Sequence, residues 1–140
     1  MEKTKLNVNL NRMGPSLKLL IIDDDEHVLA NLCYFLNEKM YDVTSAIDGL
    51  EGLKLLENDH HGFDLVITDI VLPRISGIGL ISIIKTKFPN IPVIIITGWG
   101  GYPGEFATNS QADKILSKPF RLSELDKAIN ELISSKKAQN

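Results

Sequence analysis

The chain has 140 residues, with 15 Lys and Arg against 18 Asp and Glu for a formal net charge of −3, and 44% of its residues are hydrophobic. This composition fits one ordinary soluble domain with enough apolar side chains for a single core, and it excludes disorder of the whole chain. The longest apolar runs fall far short of a bilayer span, the one cysteine (Cys33) can form neither an internal disulfide nor a zinc cluster, and a mildly acidic balance without a basic run argues against nucleic acid as a direct partner.

Met1 to Asn7 contain no continuous apolar segment of the kind that a secretory signal needs, so the expected compartment is the cytoplasm. Residues 1–16 are rich in asparagine and close on the breaker cluster Met13-Gly14-Pro15-Ser16, which marks them as a disordered leader. Leu6, Val8 and Leu10 nevertheless alternate with asparagines at the period of a strand, so an added edge strand is the alternative. From Leu17 onward, short runs of Ile, Leu and Val alternate with amphipathic stretches, the pattern of βα units around a parallel sheet. The first run, Leu17 to Ile22, lacks polar alternation and so predicts a strand covered on both faces. A helix follows over 26–39, with Leu29, Leu32, Cys33 and Leu36 at helical spacing and Asp25 placed to cap it. A weak strand over 42–46 leads to a helix marked by Leu50, Leu53 and Leu56, with 58–62 as its exit. The third strand spans 64–68, and Leu80, Ile81, Ile83 and Ile84 mark a helix that Phe88-Pro89-Asn90 ends. The fourth strand covers 92–97. Five βα units require another helix before the weak strand over 115–117, but Gly98, Gly100, Gly101, Pro103 and Gly104 restrict it to about Glu105 to Ser110, and 98–110 is expected to be the most mobile part of the domain. The last helix runs from Leu122 to about Lys137, with Leu125, Ile129 and Leu132 or Ile133 facing inward, and 138–140 form a tail.

In a doubly wound parallel sheet, ligands bind beyond the carboxyl ends of the strands, where the strand order reverses. The first strand runs into Asp23-Asp24-Asp25-Glu26, and the third runs into Asp69. If these strands are neighbours, Asp23, Asp24 and Asp69 converge, repel one another and titrate as a coupled set, so the site calls for a cation. Mg²⁺ fits, because it takes one or two carboxylates, keeps several waters and accepts phosphate oxygens. The fourth strand ends at Thr97 and the fifth at Lys118-Pro119, which adds a hydroxyl and an amine to the same edge. Together these groups can bind a metal and a phosphoryl group. Other polar residues have simpler readings: Asp25 as a cap, Cys33 as a small core hydrophobe, His27 in a helix's first turn and His60-His61 in a solvated loop, with no histidine paired at metal-ligand spacing.

Four motifs in order, Leu20-Ile21-Ile22-Asp23-Asp24-Asp25, then 64–73 ending in Asp69-Ile70-Val71-Leu72-Pro73 with Gly77, then Ile95-Ile96-Thr97-Gly98, then Lys118-Pro119-Phe120, carry a family resemblance. From Leu17 to about Ser135 the sequence resembles a response-regulator receiver domain of two-component signalling, in the CheY-like superfamily. The resemblance implies an α/β, flavodoxin-like (βα)5 fold over 17–137, with a doubly wound parallel five-stranded sheet in the order 2-1-3-4-5. It implies a signalling phosphoacceptor rather than an enzyme: Asp69 would take a phosphoryl group from the phosphohistidine of a sensor histidine kinase or phosphotransfer protein. Mg²⁺ would be held by Asp24 directly, by Asp23 partly through water, by Asp69 and by the backbone carbonyl of Val71. Lys118 would pair with Asp69 at rest and with a phosphoryl oxygen afterwards, while the Thr97 hydroxyl binds another, and Pro119 would be cis. The output would be a changed surface around the fourth and fifth helices and the strand between them, read by an effector domain or downstream protein or by a phosphorylation-dependent homodimer, with no membrane contact. The sequence ends shortly after the last helix, as in a stand-alone receiver or the receiver part of a longer regulator.

Two features depart from the family pattern. Ile115 stands where many receivers place the Tyr or Phe that couples to the threonine, leaving Trp99, Tyr102 or Phe106 as candidate substitutes. Val71 and Trp99, at the variable positions beside the site, are apolar and poorly suited to align a hydrolytic water, which implies a long-lived phosphoform. Two rival functions remain open on the residues. Asp23-x-Asp25 after a strand matches a haloacid-dehalogenase-type phosphatase, although no later acidic pair accompanies it, and a degenerate receiver would serve only as a protein-binding module.

Overall fold

The computed structural model describes residues 16–59, 62–98 and 111–138. The leader up to residue 15, His60-His61, the short helix expected at 105–110 with its glycine-rich approach, and the last two residues lie outside the described residues. Five strands, β1 (Lys18–Ile22), β2 (Asp42–Ala46), β3 (Leu65–Asp69), β4 (Val93–Thr97) and β5 (Lys114–Ser117), form one sheet in the order β2-β1-β3-β4-β5. Every adjacent pair is parallel. Among the described residues the helices are α1 (Glu26–Glu38), α2 (Gly49–Asn58), α3 (Gly77–Lys87) and α4 (Leu122–Ala138). This is the flavodoxin-like, doubly wound order that the resemblance implies.

The apolar strands place alternate side chains in two separate cores. On one face Leu19, Ile21, Leu65, Ile67, Ile94, Ile96 and Leu116 pack with Leu29, Leu32 and Leu36 of α1 and with Leu125, Ile129 and Ile133 of α4. On the other face Leu20, Ile22, Val66, Val93 and Ile95 pack with Leu56 of α2 and with Leu80, Ile81 and Ile84 of α3. Burying one such side chain contributes about 1.5–3 kcal/mol, so these two layers hold the sheet rigid beneath its edges.

Helix starts follow local chemistry. Asp25 caps α1 by accepting the N–H groups of His27 and Val28, Asp48 caps α2 through Glu51, and Ser76 caps α3 through Gly79. The Leu50-Leu53-Leu56 spacing marks α2 but not its buried stripe, because Leu50 is 42% exposed while Gly49, Gly52 and Leu56 face inward. Close approach is the reason: a Cβ at Gly52 would lie 2.5 Å from Cδ1 of Ile22. β3 starts at Leu65 rather than Asp64, since Asp64 uses its carboxylate to accept the Lys18 N–H at 2.8 Å.

Gly77 fixes the loop beyond β3. Its N–H donates to the Ile70 carbonyl at 2.9 Å, and an added Cβ would sit 2.6 Å from Ile70 Cα and 2.7 Å from Ile70 O, which is backbone that cannot swing aside. Gly77→Ala is therefore expected to lower stability by about 1–3 kcal/mol, the range for overpacking, as a reduced midpoint in urea unfolding.

Candidate functional site

β1 pairs with β2 on one side and β3 on the other, so the chain reverses its order of addition between β1 and β3. The carboxyl ends of these two strands release Asp23 and Asp24 on one and Asp69 on the other. One ligand atom from each of the three carboxylates lies within 4.8 Å of the others. Asp23 is buried, Asp69 half-buried and Asp24 exposed, so the cluster opens to solvent on one side.

Asp23 is pinned in place. Its N–H donates to the Ala46 carbonyl at 3.1 Å, and its Oδ1 accepts the Asp25 N–H at 2.9 Å. Its Oδ2 is, among the described residues, a buried side-chain oxygen with no hydrogen-bond partner. A buried carboxylate oxygen normally has a donor, and an orphan facing two further acids fits a cation ligand. Burial pushes the Asp23 carboxyl above its ordinary value of 3.8; the N–H of Asp25 and the charge of Lys118 oppose this, while Asp69 and Asp24 reinforce it.

Asp69 is held from two sides. Its Oδ1 accepts the Val71 N–H at 3.3 Å, and its Oδ2 lies 3.9 Å from Lys118 Nζ. Lys118 follows β5, its own N–H donates to the Thr97 carbonyl at 2.7 Å, and the bond to Pro119 is cis. Thr97 is 3% exposed, and its hydroxyl donates to Ser117 Oγ at 3.4 Å. The Val71 side chain is 58% exposed beside the site. Arg74, 4.0 Å from Asp48, ties the loop after β3 to the turn before α2. The structure thus brings Asp23, Asp24, Asp69, Val71, Thr97 and Lys118 to one edge.

Asp25 stands apart. Its carboxylate caps α1 and is exposed, so it does not join Asp23 as the second acid of a phosphatase pair. Cys33 packs against the core layer of α1, and burial raises its thiol pKa while a hydrogen bond with Ser45 lowers it. Ile115 is a partly buried aliphatic residue against the α2–α3 layer. Ser117 is the residue that sequence reasoning missed: its signal was its place directly before Lys118, in register with Thr97.

A doubly wound sheet with acids at its switch point, and a hydroxyl and an amine further along the same carboxyl-end edge, defines the class: an α/β protein whose charged groups gather where such sheets place their sites. Residues 19–130 match the family model described as response regulator receiver domain. The chain belongs to this family: it is a receiver domain of two-component response regulators. It is 34% identical over 116 residues to the transcriptional regulatory protein GlrR of Escherichia coli (strain K12), covering 82% of this chain and 26% of that protein. A receiver domain protein from Clostridium thermocellum superposes with a TM-score of 0.82 at 34% identity, covering 89% of this chain and 99% of the other. The response regulator protein TrrA of Thermotoga maritima, solved in complex with Mg(2+)-BeF, superposes with a TM-score of 0.73 at 29% identity, covering 83% and 98%. The chain spans between 26% and 47% of the length of the curated relatives that it matches. No helix among the described residues is long and apolar enough to cross a membrane.

The raised Asp23 carboxyl has a pH consequence. The folded state binds this proton more tightly than the unfolded chain, so stability present below the ordinary carboxylate pKa is lost as pH rises through the folded value. In a chelator-treated sample, Asp23→Asn is expected to raise the thermal midpoint at about pH 7, with the gain shrinking as pH falls through the raised folded-state value and the wild-type carboxyl takes up its proton.

Proposed function

We propose that Asp69 accepts a phosphoryl group from a phosphohistidine, with Mg²⁺ as cofactor, and that the resulting acyl phosphate switches the face built on β5 and α4. The observation that carries this reading is the buried, unpartnered Asp23 Oδ2 beside Asp24 and Asp69, with Lys118 as the nearby cation. Asp23, Asp24, Asp69 and the Val71 carbonyl are the proposed metal ligands. When bound, Mg²⁺ neutralises charge on the phosphoryl oxygens.

The chain's own residues divide the remaining work. A carboxylate oxygen of Asp69 forms the new bond to phosphorus while the bond to the donor's imidazole nitrogen breaks, and the imidazole leaves with that electron pair. The Val71 N–H orients the Asp69 carboxylate, which favours in-line attack. Lys118, paired with Asp69 at rest, moves its ammonium to a phosphoryl oxygen as negative charge shifts outward, and the Thr97 hydroxyl donates to another. That TrrA was solved in complex with Mg(2+)-BeF supports a metal and a phosphoryl-like group as ligands of this chain too. The Val71 side chain, exposed beside Asp69, offers no polar group to align a hydrolytic water, which favours a persistent phosphoform.

The reading carries with it a cytoplasmic setting, residues 17–137 as the receiver unit, and a histidine kinase or phosphotransfer protein as phosphodonor. The relatives' greater length and the name transcriptional regulatory protein support an effector domain as the downstream partner, on the same polypeptide or another. A phosphorylation-dependent homodimer through the β5 and α4 face belongs to the same reading.

Incubation with a small phosphodonor and Mg²⁺ is expected to give an acid-stable, base-labile adduct on Asp69, absent in Asp69→Asn and after chelation. Turnover of phosphate esters would instead indicate a phosphatase, and neither result a protein-binding module. The double variant Val71→Asn, Trp99→Glu is expected to lose its phosphoryl group about threefold faster or more, the effect of one hydrogen bond to the attacking water; an unchanged or slower rate would remove the persistent phosphoform.

A further inference from the structure

At rest the Thr97 hydroxyl is committed to β5. Thr97 and Ser117 are partners in the β4–β5 register, and the Thr97 hydroxyl donates to Ser117 Oγ across 3.4 Å. Thr97 is 3% exposed, so its hydroxyl has little access to solvent, whereas Ser117 is exposed and can replace a lost bond with water. At 3.4 Å the bond is longer than the usual O–H···O range and correspondingly weak. A bond from the same hydroxyl to a charged phosphoryl oxygen is shorter and about twice as strong as a neutral one. The exchange is therefore downhill once a phosphoryl group is present.

We propose, resting on the phosphoacceptor reading above, that Ser117 is a positioning residue that holds the Thr97 hydroxyl on β5 until a phosphoryl group draws it away. Ser117 lies two residues beyond Ile115 on the same strand, and side chains two apart share a face. Where an aliphatic Ile115 provides no ring to follow the threonine, release of the Ser117 hydroxyl is what reports the change to β5. The polar link runs through the strand end that also carries Lys118, so one displacement affects both groups that contact the phosphoryl oxygens.

The test is beryllofluoride affinity in Mg²⁺, measured by calorimetry on the full chain, for Ser117→Ala and Ser117→Thr in the wild-type and Thr97→Ala backgrounds. Ser117→Ala is expected to tighten binding about two- to threefold, the value of one weak hydrogen bond no longer opposing the exchange. Ser117→Thr, which keeps the hydroxyl, is expected to restore wild-type affinity, and Ser117→Ala should have no effect when Thr97 is alanine. Unchanged or weaker binding in Ser117→Ala, or equal tightening in both backgrounds, overturns the proposal while leaving the phosphoacceptor reading intact. Failure of the wild-type chain both to bind beryllofluoride and to acquire an adduct on Asp69 overturns that reading and this one with it.

Discussion

Three carboxylates held at the end of two adjacent strands set the terms for the rest of this molecule. Asp23, Asp24 and Asp69 bring three formal negative charges within 4.8 Å, and the nearby cation, Lys118, lies 3.9 Å from Asp69 and only partly offsets the burden on Asp23. Such a cluster would relax if the backbone beneath it could move. It cannot, because β1 and β3 are buried on both faces and paired in register from Leu19 against Leu65 to Ile22 against Thr68. The apolar layers thus oppose the electrostatic repulsion, and a rigid sheet keeps the acids ready for a counter-charge.

The opposite edge of the same sheet shows what satisfied electrostatics looks like. Lys18 pairs with Asp59 and lies over the Phe63 ring, and its N–H bonds Asp64. Lys85 pairs with Asp113 at 2.5 Å, while the same Asp113 carboxylate accepts the Val93 N–H at 2.7 Å. These pairs join helix ends to strand starts, and their charges cancel. At that rim each of these two lysines has its acid, whereas three acids gather at the other rim, where the chain orders of β1 and β3 diverge.

Much of this was legible in the sequence because the strands lack polar alternation. Leu19 to Ile22, Leu65 to Ile67 and Val93 to Ile96 could only be strands covered twice, and once the strands were located, the residues following them fell on one edge. Asp25 was legible as a cap, since an acid before a helical stripe has a local purpose. What was hidden depended on distances between elements. Gly52 of α2, rather than Leu50, faces the sheet because the helix lies so close to Ile22, while Gly49 lies against Ile75 and Leu80, and the Leu50-Leu53-Leu56 spacing does not encode that approach. Asp64 read as the first residue of β3, yet its carboxylate serves the start of β1, a partner 46 residues away. Ser117 carried no motif of its own, and its contact with Thr97 follows only from the β4–β5 register.

Placing a switch on such a frame requires a part that moves while the acids stay fixed. The core offers none, since Ile94, Ile95 and Ile96 are buried beside the site and the two layers fill both faces of β4. The side chains at the strand ends are different: the Thr97 hydroxyl contacts the last residue of β5, and Lys118 is joined to Thr97 through the backbone. β5 is an edge strand, four residues long, and only Leu116 within it is buried. A rearrangement that exchanges one hydroxyl contact at its end meets little packing resistance there, whereas the same displacement on β1 or β3 would have to disturb side chains with no solvent exposure. The acids are therefore fixed at the centre of the sheet, and the Thr97 contact that the proposed switch would exchange lies at the end of an edge strand only lightly held by the core.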